Sequence, residues 1–161
     1  MFLFRRKRKV PSAKIPNTKL TYSRPKPRFK NLITKKALYE WSKNGKQIRS
    51  GSGPLAKFYT KQIMSAMKKR TYNKPLYRGL YGRFVPGKQP ISSFTKNFTV
   101  ANSYSNGNGN ILVINNPRNI PVINFNNYKS EYSGEAEVIL APGIYKILKR
   151  NGRLVHIQYS V

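Results

Sequence analysis

The chain has 161 residues, 39% of them hydrophobic, and its 32 Lys and Arg against four acidic residues give a formal charge of +28. That length fits one domain with an extra arm, and the charge points to a polyanionic partner such as nucleic acid, an acidic protein or an anionic membrane. With no Cys, no Asp and a single His, disulfides, thiolate or His-rich metal sites, Cys nucleophiles and a Ser-His-Asp triad are excluded.

Met1–Lys36 holds thirteen basic residues and no acidic one, interrupted by Pro11, Pro16, Pro25 and Pro27. Neither a helix nor a central strand runs through such a segment. Residues 1–34 are read as an extended basic arm that meets nucleic acid or an acidic protein through residues 1–36, and residues 35–161 as the folded domain. The opening MFLFRRKRKV places apolar residues before the charge, the reverse of a signal peptide. No apolar run approaches the ~20 residues that span a bilayer. An intracellular location, or packaging in a virion, is expected over secretion.

Ile33–Ile48 carries a helical pattern with Leu38, Trp41 and Ile48 inward, and SGSGP at Ser50–Pro54 is a turn. From Leu55 to Arg70, apolar Leu55, Phe58, Tyr59, Ile63, Met64 and Met67 recur at spacings of three and four. That predicts an amphipathic helix closing on Lys68-Lys69-Arg70, whose charge suits a helix C-terminus. Strands are predicted at Leu76–Tyr81, Ile111–Ile114, Val122–Phe125, Glu137–Leu140, Tyr145–Lys149 and Leu154–Tyr159. Phe98–Tyr104 reads as a short helix, and Asn106–Asn110, NGNGN, as a hairpin turn. Arg118 reads as a turn residue and His156 as a packed one. Helices followed by strands predict an α+β domain.

Three of the four glutamates, Glu131, Glu135 and Glu137, fall within seven positions. If the strand has begun by Glu135, alternation places Glu135 and Glu137 on one face. Read alone, the pair is better explained as a strand edge with two solvated glutamates, since such a pattern is common by chance. Two further stretches change its meaning. LYRGL places Arg78, suited to bidentate phosphate contact, beside Gly79. SSFTKNFTVA, Ser92–Ala101, is a hydroxyl-rich strand end running into the start of a helix.

An Arg strand, a Ser-x-Thr strand and a Glu-x-Glu strand in that order resemble the mono-ADP-ribosyltransferases of the arginine–serine–glutamate class. MSAMKKRTYNKPLYRGL (Met64–Leu80), SFTKNFTVA (Ser93–Ala101) and GEAEVILAPG (Gly134–Gly143) are similar to that family's arginine, serine and glutamate motifs. The likeness runs from about Lys35 to Leu148. It implies an α+β fold of ADP-ribosyltransferase type: two N-terminal helices, then a split antiparallel β-core, with the basic arm added. NAD is implied as co-substrate in the cleft between two sheets, and a protein, most simply its arginine, as acceptor. Arg78 would grip an NAD phosphate and Gly79 give the dinucleotide room. Phe94 and Thr95 of the serine motif would line the same site, with Phe98 or Tyr104 as its aromatic. Ser93 would orient Glu137. Glu137 would bind the nicotinamide ribose and stabilise the cationic centre as nicotinamide leaves, and Glu135 would contact the acceptor. The chain departs from the family in having no Arg between Ser93 and Ile114. A different class is also compatible with arm plus domain: a minor capsid protein, or another scaffold of a large assembly, that keeps the fold and binds neighbours or nucleic acid. Convergence of Arg78, Ser93 and Glu137 on one open cavity would separate enzyme from scaffold.

Overall fold

The computed structural model describes residues 32–125 and 136–161. The order is α1 (Leu32–Ser50), α2 (Ala56–Ser65), β1 (Lys68–Arg70), β2 (Leu76–Gly79), β3 (Gly87–Gln89), β4 (Ser92–Thr95), α3 (Phe98–Tyr104), β5 (Ile111–Ile114), β6 (Ile120–Asn124), β7 (Glu137–Leu140), β8 (Gly143–Asn151) and β9 (Leu154–Ser160). Of the expected arm, residues 32–34 belong to α1 and the rest lies outside the described residues. No helix among the described residues is long and apolar enough to cross a membrane.

α1 buries Ala37, Leu38, Trp41 and Ile48, so the predicted inner face is the real one. Its axis breaks at Asn44, φ −125° and ψ 26°, directly before Gly45, where two poor helix formers meet. α2 is shorter than the periodicity predicts. It buries Ala56 and Ile63 but leaves Leu55, Phe58 and Met64 exposed. Lys68-Lys69-Arg70 is not a helix end but the edge strand β1, paired antiparallel with β6. Pairing satisfies its backbone groups, and three exposed cations keep an edge from recruiting another chain.

The strands form one sheet in the order β1-β6-β7-β4-β2-β5-β9-β8-β3. All pairs are antiparallel except β5 with β9, which is parallel. β2 and β4 share a single register pair, Tyr77 with Thr95. That thin join divides the sheet into a half of β1, β6, β7 and β4 and a half of β2, β5, β9, β8 and β3, which is the split expected from the sequence.

Alternation along β7 shows how the core is divided. Val138 and Leu140 join Phe94, Leu76, Leu112, Tyr145 and Ile157 in a cluster fed by both half-sheets. Ile139, between them, joins Ile123, Ile63, Leu38 and Trp41 in a second cluster under the helices. Each fully buried aliphatic or aromatic side chain contributes roughly 1.5–3 kcal/mol relative to an exposed one. Glu137 shares the strand parity of Ile139, so it emerges on the helix side of β7, where the two half-sheets meet.

Candidate active site

A cleft of about 380 Å³ opens at the β2–β4 join, lined by α1, β2, β4, α3 and the first residue of β7. Glu137 stands at its base. Ser93 Oγ donates to Glu137 Oε1 at 2.5 Å, and Trp41 Nε1 donates to the same oxygen at 2.9 Å. Ser93 reaches it because the β4–β7 register sets Thr95 opposite Glu137 and Ser93 opposite Ile139, making Ser93 and Glu137 diagonal neighbours on one face. Two donors on one oxygen favour the charged carboxylate and fix its plane.

Arg78 lines the cleft from β2, within a ladder that pairs it with Leu112 of β5. Among the described residues nothing accepts a hydrogen bond from its guanidinium. Burial pulls that guanidinium below the ordinary arginine value, with Tyr145 acting against the shift and Arg49 adding to it. Arg49 on α1 is in the same condition. Burial lowers it, while the charge of Glu137 works in the opposite direction. Its guanidinium lies 5.4 Å from the Trp41 ring centroid, a cation–π arrangement. Two guanidiniums without acceptors among the described residues line one cleft, with Lys46 beside them, a set whose chemistry can accommodate a doubly charged anion.

Trp41, Gly45 and Arg49 follow at intervals of four and so share one face of α1. Gly45 leaves that face bare between Trp41 and Arg49. A Cβ there would stand 3.3 Å from Arg49 Nη1 and 3.8 Å from the indole ring. Neither Trp41 nor Arg49 is among the site residues expected from the sequence. The interval of four is visible there; which helix face meets the cleft is not.

Of the predicted site residues, the cleft gathers Arg78, Gly79, Ser93, Phe94, Thr95, Tyr104 and Glu137. Phe98 does not line it; the ring packs edge-on against Tyr77, 5.5 Å between centroids, and Tyr77 does. Gly79 has another reason for its missing side chain than room for a dinucleotide. A Cβ there would collide with the carbonyl oxygen of Ala101 and crowd the amide of Ser105, so glycine lets α3 lie directly on β2. Thr95 Oγ1 accepts from Asn97 N at 3.0 Å, and Asn97 Oδ1 accepts from Thr99 N at 2.9 Å. Both hydrogen bonds fix the start of α3, which carries Tyr104. The NGNGN segment follows α3 and leads into β5, so it is a helix-to-strand turn and not a hairpin. Gly107 (φ 74°) and Asn106 (φ 48°) supply its left-handed steps.

Glu135 lies outside the described residues, as does Glu131. The strand argument for pairing Glu135 with Glu137 does not hold, however. β7 begins at Glu137, and Ala136 before it is left-handed, φ 49°, so strand alternation does not extend back through it.

No family model and no curated protein matches this chain. Solved structures do. The C3 exoenzyme of Clostridium limosum matches over 84% of this chain and 88% of its own, at 13% identity and a TM-score of 0.62. Exoenzyme S of Pseudomonas aeruginosa, bound to carba-NAD and in complex with human 14-3-3 protein beta, matches over 79% and 72%, at 13% identity and 0.54. The ADP-ribosyltransferase Vis, in complex with agmatine, matches over 81% and 74%, at 20% identity and 0.55. The chain has the ADP-ribosyltransferase fold.

Proposed function

We propose that this protein is an NAD-dependent mono-ADP-ribosyltransferase that modifies arginine side chains of proteins. The observation that carries the reading is the convergence of Arg78, Ser93 and Glu137, three residues remote in sequence, on one cleft together with Arg49. The donor set fits NAD. Two guanidiniums without acceptors among the described residues match a pyrophosphate, and the anchored Glu137 carboxylate matches a ribose hydroxyl. Carba-NAD in exoenzyme S is consistent with that use of this fold. When bound, NAD supplies the ADP-ribosyl group and nicotinamide as leaving group, through the bond between them.

The chain's own residues do the rest. Arg49 and Arg78 hold the phosphates and set the depth of entry. Ser93 and Trp41 hold the Glu137 carboxylate in orientation through Oε1. Its negative charge stabilises the positive charge that develops on the ribose, at little cost in reorganisation because the donors are already in place. Glu135 is assigned to the acceptor, where a carboxylate holds a guanidinium in a fork. What supports that finer step is the Glu135-Ala136-Glu137 sequence and the guanidinium of agmatine in the Vis complex. The capsid-scaffold alternative finds no support in the comparisons, and the converging residues favour catalysis.

The test is incubation with labelled NAD and a mixed lysate, read as labelled protein and released nicotinamide. Glu137→Gln removes charge but little volume, and should lower both by roughly 10²–10³. Glu135→Gln should depress transfer to an arginine acceptor far more than hydrolysis of NAD, since water needs no second carboxylate. Near-normal turnover by Glu137→Gln overturns the assignment, and equal losses from Glu135→Gln overturn the arginine acceptor.

A further inference from the structure

We propose that Trp41 is a positioning residue for Glu137: its indole N–H, held by the helix core, shares Oε1 with Ser93 and keeps the carboxylate in its working orientation. The inference rests on the reading of Glu137 above, but the hydrogen bond itself does not.

Three observations combine. Trp41 is 3% exposed and belongs to the cluster that packs α1 on β6 and β7, so the position of its ring is set by core packing. Its Nε1 reaches across 96 positions of sequence to Oε1 at 2.9 Å, while the Ser93 hydroxyl approaches the same atom from β4. A hydroxyl rotates freely about its C–O bond, whereas an indole N–H in a packed core does not. Trp41 is therefore the rigid donor of the two and Ser93 the adaptable one. Arg49 lies over the ring while the N–H at its edge meets Glu137, so one side chain contacts both the carboxylate and a guanidinium we assign to phosphate. A buried indole N–H needs an acceptor whatever the role of the residue. Here that acceptor is the carboxylate of the cleft, so the titration of Glu137 is what separates positioning from packing.

Among the described residues, the charged and titratable groups that line the cleft with Glu137 come from three elements and the residue after one of them. α1 brings Lys46 and Arg49, β2 brings Tyr77 and Arg78, the residue Tyr81 follows β2, and α3 brings Tyr104; β4 brings hydroxyls and no charge. Glu135, two positions before Glu137 in the sequence, is a second carboxylate, so the comparison of titrations is repeated with Glu135→Gln, and a shift at Glu137 that persists there reports the lost hydrogen bond.

Trp41 is the only tryptophan in the chain, which permits a clean substitution by the analogue in which sulfur replaces the indole N–H. Shape and packing are kept and the donor is removed. NAD hydrolysis is measured against pH, and the four glutamates are followed by carbon-13 NMR, with Glu137→Gln assigning the signal. We expect kcat to fall about tenfold or more, the size of a lost hydrogen bond to a charged group. KM for NAD should change less than about twofold, because Glu137 acts mainly on developing charge. The carboxylate loses a donor to its charged form, so its titration midpoint and the acid limb of the profile should both move up by roughly half a unit or more. Trp41→Phe, which also lacks the donor, should shift the midpoint the same way if the analogue does not fold. An unmoved midpoint overturns the proposal, whether or not kcat falls, since a purely structural role lowers rate without changing titration. A wild-type protein that does not consume NAD would overturn the proposed function, and the midpoint would still decide the role of Trp41.

Discussion

At the scale of single residues, the cleft is organised by what its charges lack. Arg49 and Arg78 have no acceptor among the described residues, Arg78 is further destabilised by Arg49, and an anion relieves both. Arg49→Ala and Arg78→Ala should each weaken NAD binding about tenfold or more, since a charge-assisted hydrogen bond is worth ~1.5–3 kcal/mol. Calorimetric titration of NAD into the Glu137→Gln background checks this without turnover. Lys at either position should restore only part of the affinity, since an ammonium has no fork. Affinity unchanged by either Ala substitution would remove these arginines from the phosphate site. Arg78 was legible because it sits in LYRGL, a short strand beside a glycine. Arg49 was not, because its meaning comes from folding back over Trp41 across Gly45.

At the scale of elements, Gly79 shows that one position serves both packing and site. It lets α3 lie against β2, and β2 carries Arg78 while α3 carries Tyr104. Gly79→Ala should destabilise the protein by about 1–3 kcal/mol, the cost of overpacking against backbone that cannot swing aside. Gly82→Ala is the control, since a Cβ there meets nothing within 4 Å and its φ is not positive; its effect should stay within about 0.5 kcal/mol. Urea midpoints compare the two. Equal midpoints would mean that α3 is not seated on β2 as described. The strands with apolar runs were legible, and so was α3. β1 and β3 were not, because KKR and GKQ have no apolar alternation. They are strands only because β6 and β8 offer them backbone partners.

At the scale of the whole molecule, charge and core are separable. The two buried clusters among the described residues run from Ala37 to Ile157, whereas residues 1–30 carry eleven Lys and Arg interrupted by four Pro. Deleting residues 1–30 should leave the melting temperature within a few degrees, because a segment so polar and Pro-interrupted adds little to a core. The same deletion should weaken binding to DNA or RNA and flatten its dependence on salt, by a slope of about 0.9 for each phosphate no longer neutralised. Unfolding on deletion would show that the arm belongs to the core. Unchanged polyanion binding would place the electrostatic footprint on the folded domain, where twenty described Lys and Arg face only Glu40 and Glu137.

The sequence by itself determined the fold class, the order of the arginine, serine and glutamate strands, and Arg78, Ser93 and Glu137 as residues they bring to the cleft. These are local properties: apolar periodicity, turn residues, and short motifs whose chemistry survives without knowing what lies opposite. Only the tertiary structure decided that α1 closes the cleft and that the indole of Trp41 reaches Glu137. It also decided that Gly79 is bare for α3 and that strand alternation stops at Ala136. Each of these depends on which surfaces meet across long sequence separations, and that is set by the summed packing of both cores, of which no short stretch carries a record.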